Sequence, residues 1–147
     1  MLVGLDNPLS NNPEDALVPW PVGCSGHRIL QLLQTVDPTY SDLQYLADFE
    51  RRNLYHYPAS KKLSNQIRAW ERLYATLKVN TVVIGLGSVV RDAMGLRGTR
   101  PMSFGQSNTS GHLLTGWMPH PSGRNHFYNP PEIKRQAGEF LFYVKGL

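Results

Sequence analysis

Cysteine is almost missing: Cys24 is the only one in 147 residues. One thiol makes no internal disulfide and no multi-cysteine zinc site, so a reducing, cytoplasmic setting is the simplest reading. Cys24 itself reads as a small packing residue rather than a nucleophile. Long apolar runs are missing too. No stretch nears the roughly 20 apolar residues of a membrane helix, and the opening "MLVGL" is too short, and lacks the basic flank, for a signal peptide. No membrane partner is expected. There is no internal repeat, no low-complexity tract and no Walker loop, so nothing supports ATP hydrolysis. Acidic residues are scarce after position 50. Residues 51–147 hold four of them against fourteen basic ones, whereas residues 1–50 hold seven acidic residues and one basic, Arg28. Such an imbalance is either a solvated surface or a basic face that meets phosphates.

The length suits a single domain over 1–147 with one core, and a monomer is expected. "MLVGL" reads as a strand ended by the turn residues of "DNPLSNNP". "GHRILQLLQTV" has helical spacing, starts near Ser25 and stops before Pro38. "YSDLQYLADFE" is a second helix, capped by Ser41 or Asp42, and "RRNLYHYP" a short extended segment stopped by Pro58. "SKKLSNQIRAWERLYATL" is a long amphipathic helix with Leu63, Ile67, Trp70, Leu73, Tyr74 and Leu77 on one face. "NTVVIGLG" is the clearest buried strand, followed by a helix expected to use Ser88 as its cap. "GHLLTGWMPH" holds a last strand and "PPEIKRQAGEFLFYVKG" a last helix, with Pro131 in its first turn.

Strands alternating with helices imply βαβ units, a mostly parallel sheet and helices on both faces. Sites in such sheets lie at the carboxyl ends of strands. That directs attention to loops 5–12, 53–60, 85–88 and 118–126. The last contains "GWMPHPSGRNHFYNPP", where prolines and a glycine forbid a helix interior or central strand. A His, a Ser, an Arg and an Asn clustered on a loop point to function more than to packing.

Other constellations are weaker. "GLGSVV" has two glycines of a dinucleotide fingerprint, but Val90 stands where the third belongs, so a tight strand-to-helix turn is the better reading. His112, His120 and His126 match no ligand spacing and have no carboxylate cluster beside them; neither a metal nor a cofactor is expected. Ser122 with His120 lacks the Gly-x-Ser-x-Gly elbow of a hydrolase.

Taken in order along the chain, four segments resemble the uracil-DNA glycosylase superfamily. "HPSGRN" is similar to its second motif, in the form found in single-strand-selective members. "GLDNP" at 4–8 resembles its first motif, "RRNL" at 51–54 its central segment with a base-reading asparagine, and "NTVVIGLGSVVRDAMG" the strand-glycine-helix segment before the second motif. The resemblance spans nearly the whole chain and rests on joint order and spacing, since each motif is short. It implies a three-layer α/β/α fold with a four-stranded parallel sheet in the order 2-1-3-4, and DNA, single- or double-stranded, as the partner. Two departures stand out. Two residues, Leu5 and Asp6, separate Gly4 from Asn7-Pro8 where the family has one, and no helix precedes the first strand, as in a pared-down domain.

The activity implied is flipping of a uracil or other modified base into a pocket and hydrolysis of its N-glycosidic bond. Either Asp6 or Asn7 would orient a water and stabilise the sugar cation, with Asn7 favoured because Pro8 fixes the residue before it. His120 would stabilise the leaving base. Gly4, Leu5 and Asn53 would form the base pocket, with Trp20 stacking on the base. Ser122, Gly123, Arg124, Asn125, Ser25 and Gly26 would grip DNA, the last two at a helix N-terminus. Leu9, after the first-motif proline, leaves room for a larger base, modified phage bases included. Each residue also has a plainer role open to it: an Asx-turn for Asp6 and Asn7, a backbone cap for Asn53, a core anchor for Trp20, a solvated charge for Arg124. The alternatives to an enzyme on DNA are a non-catalytic nucleic-acid-binding or regulatory module of the same fold, and a nucleotide-binding enzyme resting on "GLGSVV" alone.

Overall fold

The computed structural model describes residues 1–105 and 113–147; His112, one of the three histidines weighed for a metal, lies outside the described residues. The chain is α/β, with a mixed five-stranded sheet. Strands β1 (Leu2–Gly4), β2 (Arg51–Asn53), β3 (Val82–Leu86), β4 (Phe104–Gly105) and β5 (Leu114–Met118) lie in the order β2-β1-β3-β5-β4. The pairs β1–β2, β1–β3 and β3–β5 are parallel, and β4 runs antiparallel to β5. The expected sheet of four parallel strands is therefore corrected to five strands, one of them antiparallel. The extra strand is two residues long and follows the turn-rich "RGTRP", so it shows no period that a sequence reading can detect. Gly116 admits it: a Cβ there would stand 2.6 Å from the Ser103 carbonyl oxygen.

Two apolar cores follow from the alternation of side chains along each strand. Leu2, Ile84, Leu86 and Met118 join a cluster with helices α1 (Ser25–Gln34), α2 (Asp42–Asp48) and α5 (Pro131–Lys145). Val3, Val83 and Trp117, one residue out of phase, join the cluster of α3 (Leu63–Ala75) and α4 (Ser88–Ala93). Ser41 caps α2 through a capping box with Gln44. The cap of α4 is Gly87, not Ser88: at φ +94° the turn needs the glycine, and no side chain bonds to the helix end. On α3 the buried residues are Gln66, Ala69 and Trp70, with Leu73 and Tyr74 of the helix and Leu77 just past its end packed against the same cluster. Leu63, assigned to that face, is 48% exposed because it opens the helix, and the core begins at the next turn. There the Gln66 amide donates to the Ser60 carbonyl at 2.8 Å.

Helices α1 and α5 cross closely. Gly138 faces α1 at that crossing, and a Cβ there would fall on the Leu32 carbonyl oxygen and come within 2.9 Å of Thr35 Oγ1 and Val36 Cγ2. Helix propensity favours Ala over Gly by about 1 kcal/mol. Overpacking against a backbone carbonyl costs about 1–3 kcal/mol and should win. Gly138→Ala is expected to lower the urea midpoint with its slope unchanged; a raised midpoint would show that the helices separate at little cost.

Candidate functional site

The carboxyl ends of β1, β2, β3 and β5 open into one cleft of about 690 Å³. It contains Gly4, Leu5, Asp6 and Asn7 from the loop after β1, Asn53 from β2, Leu86 and Gly87 from the β3–α4 turn, and His120, Ser122 and Gly123 from the loop after β5. The 17–26 segment closes it with Trp20, Ser25 and Gly26. Of the residues singled out from sequence, only Arg124 and Asn125 stand outside.

The two polar residues of the first loop do different work. Asn7 is taken up by its own turn: Oδ1 accepts from the Leu9 N–H at 2.9 Å and Nδ2 donates to the Asp15 carbonyl at 3.1 Å. It forms the Asx-turn, so the preference for Asn7 as the reactive residue is not supported by its geometry. Asp6 uses one carboxylate oxygen, Oδ2, which accepts from the Ala59 N–H at 2.9 Å. That contact ties the loop to the segment after β2, and Asp6 acts electrostatically on His120.

Asn53 ends β2 directly opposite Gly4. Its Oδ1 is buried and has no hydrogen-bond partner among the described residues. A Cβ on Gly4 would come 2.5 Å from that oxygen, so the glycine is what lets the amide lie across the floor. A buried acceptor without a donor costs about 1–3 kcal/mol, which a ligand N–H would recover. No family model matches the chain, and no curated protein does. The chemistry of the cleft therefore has to be read from its own groups.

His120 stands on a pinned loop. Its carbonyl accepts from the Ser122 N–H at 2.9 Å and from Asn125 Nδ2 at 3.0 Å, while Tyr128 Oη donates to the Pro119 carbonyl at 2.7 Å. Asn125 Oδ1 accepts from the Phe127 N–H at 3.0 Å, capping a short 3-10 turn at His126–Tyr128. Both polar ends of Asn125 thus hold the loop that carries His120, and each keeps capacity for one further hydrogen bond. Gly87 backs the imidazole, with its open Cβ position 3.2 Å from His120 Cβ and 3.5 Å from Cδ2. The residue is exposed overall, with its ring against Gly87 at the cleft wall, and the partial loss of water there lowers its pKa below the ordinary 6.5 while the Asp6 carboxylate opposes the shift. The lowered pKa favours the neutral ring at pH 7, which has one N–H to donate.

Stability should follow. As pH falls below 6.5 the unfolded imidazole takes up its proton before the folded one does. The unfolded state then holds more protons, so stability declines between 6.5 and the lower folded pKa and levels off beneath it. Urea midpoints measured from neutral pH to about pH 5 should show this slope, reduced in His120→Gln. A slope identical in both proteins would place the ring in water.

The 17–24 segment is fastened from below. The Leu17 carbonyl accepts from Tyr45 Oη at 2.8 Å, the Ala16 carbonyl from Arg51 Nη1 at 2.8 Å, and Cys24 Sγ donates to the Val18 carbonyl at 3.3 Å. Cys24 also caps α1, with Sγ accepting from the His27 N–H at 3.4 Å, so Ser25 is the first helical residue. Gly26 is buried against the Leu17 and Val18 carbonyls. Trp20 is no core anchor: it stands 51% exposed on the rim, with Leu9 at 69% and Val22 at 85% nearby in the chain segments that frame the cleft. Arg124 is exposed outside the cleft.

Sequence reasoning passed over Arg28, which spans the two walls. Its Nε donates to the Gly23 carbonyl at 3.1 Å, and its Nη2 lies 2.7 Å from where a Cβ on Gly123 would be. Its standing as the sole cation among the first fifty residues was the available signal. Gly87 was legible only as a turn. Among the described residues no three His, Cys, Asp or Glu side chains gather where they could hold a metal ion, and no helix is long and apolar enough to cross a membrane.

Proposed function

We propose that the protein is a DNA glycosylase with a three-layer α/β/α fold of the uracil-DNA glycosylase kind. In this reading the cleft receives a flipped nucleotide and its N-glycosidic bond is hydrolysed. The observation that carries it is the convergence of Asp6, Asn53, His120 and Trp20, from four separate segments, on one cleft of about 690 Å³. That volume lies within the range of small-ligand sites. Hydrolysis leaves an electron-poor sugar and an anionic base. The Asp6 oxygen not bonded to Ala59 would hold the attacking water and stabilise the cation. The neutral His120 would donate its N–H to the leaving base, a preorganised contact that strengthens as charge develops. Asn53 Oδ1 would accept from an N–H on the base edge, and Trp20 would stack on a base face. Leu9, turned largely to solvent, does not crowd the floor, which is compatible with uracil or a larger modified base.

A screen of single- and double-stranded oligonucleotides carrying varied bases tests the reading. Base release, seen as alkali-sensitive breaks at one modified position, is expected; no release from any substrate counts against it. A non-catalytic binding module of the same fold is the second reading. It is favoured by the first loop, where Asn7 holds backbone through both its Oδ1 and its Nδ2 and Asp6 through one oxygen. Under it, DNA is bound and no base is released.

A further inference from the structure

Beside the cleft lies a second, smaller pocket of about 230 Å³, between α1 and α5, and the two share Ser122 and Gly123. We infer that this second pocket is a subsite for a phosphate ester, with Arg28 and Lys134 as its cations. Its lining includes both of these residues together with the neutral donors Gln31, Ser122 and Asn129, and contains no Asp or Glu. The cleft is the reverse: Asp6 and Asp15 line it and no Lys or Arg does. A ligand spanning both would therefore carry its neutral, hydrogen-bonding part in the cleft and its negative charge in the annex.

The cations are available. The Arg28 Nε is held by the Gly23 carbonyl at 3.1 Å, which orients the guanidinium and leaves its Nη groups toward Gly123 and the pocket. Among the described residues the ion pairs are Arg52–Glu50, Arg91–Asp92, Arg135–Glu139 and Lys145–Asp48, so neither Arg28 nor Lys134 is neutralised by a carboxylate. Glu132 is two residues from Lys134 on α5, a spacing that puts the two side chains on different faces of the helix. The frame between them is set chiefly by Gly138, which keeps the helices close; Thr35 Oγ1 donates to the Leu32 carbonyl at 2.6 Å, with the Lys134 carbonyl a longer second acceptor at 3.3 Å. A guanidinium supplies a planar pair of donors to phosphate oxygens and an ammonium a point charge, and the amides and hydroxyl add neutral donors.

The phosphate belongs either to a DNA strand, next to the flipped nucleotide, or to a free nucleotide. Only that choice of source rests on the DNA reading of the cleft. Lys134→Gln separates the cases, since Lys134 is exposed and its ammonium has no hydrogen-bond or ion-pair partner among the described residues, so the variant should keep the wild-type melting temperature. Binding of three probes is measured across salt: a single-stranded oligonucleotide, a nucleoside monophosphate and inorganic phosphate. A several-fold loss for the oligonucleotide, with a salt slope smaller by about one, supports the subsite on a strand. A loss for the monophosphate or inorganic phosphate, in a protein that binds no oligonucleotide, supports the subsite and removes the DNA reading. Unchanged affinity and slope for every probe bound, or a wild type that binds none, overturns the inference. In the first of those two cases DNA binding by the wild type would leave the reading of the cleft standing.

Discussion

Asp6→Asn should slow base release by about 10²–10⁴-fold, the range lost when a positioned acid–base group is disabled, while DNA affinity stays within a few-fold of wild type. The substitution is chosen to change charge and little else. An asparagine oxygen can still accept from the Ala59 N–H, now at 2.9 Å, so the tie between the two loops survives. What disappears is the negative charge that would face the sugar cation and that acts on His120. Asn7→Ala should behave in the opposite way. It breaks the hydrogen bonds to Leu9 and Asp15, each contributing on the order of 1 kcal/mol, and so lowers stability more than it lowers the rate per folded molecule. Single-turnover release and urea midpoints, measured on both variants, decide the matter. If Asn7→Ala stops release and Asp6→Asn does not, the catalytic role passes to Asn7. If neither slows release, the cleft is a binding site and not a catalytic one.

Asn53→Ala should leave the protein at least as stable and abolish its choice of base. Truncation removes a buried oxygen that has no partner among the described residues, relieving a penalty of about 1–3 kcal/mol against the packing lost with a short side chain. Discrimination should fall far more, because a site built to hydrogen-bond one edge can separate ligands by as much as about 10⁴–10⁵-fold. Gly4→Ala should copy the functional loss by another route, since the new methyl group would take the space of Asn53 Oδ1. Comparing kcat/KM for matched and mismatched bases in wild type and both variants measures this. Retained selectivity in Asn53→Ala would mean that the base edge is read elsewhere in the cleft.

Local patterns were legible where a short stretch of chain decides them. The run "NTVVIGLG" is apolar and β-branched, and it forms the central strand β3. Ser41 and Gln44 have capping-box spacing, and they make the box. Alternation of strands and helices announced parallel pairing, and β2, β1, β3 and β5 do pair in parallel. Strand β4 escaped because two residues have no period; its existence depends on Gly116 allowing another strand to approach. Leu63 was misplaced because helical spacing gives a face but not where along the helix the core begins.

At the candidate site the same boundary holds. Residue type and loop position were enough to gather Asp6, Asn53, His120, Trp20, Ser122 and Ser25 as candidates, because parallel sheets bring loop residues to the carboxyl edge. Which of them has a free polar atom was a tertiary matter. Asn7 and Asn125 are chemically able to act on a ligand, yet Leu9, Asp15, His120 and Phe127 occupy their side chains. Asn53 has the same amide, but its Oδ1 is left open among the described residues, because across the β1–β2 pair it lies against Gly4, which offers no side chain to bond it. Sequence carries the inventory of donors, acceptors and charges; the partner that satisfies each one comes from packing between segments tens of residues apart, and that packing decides which groups remain for a ligand.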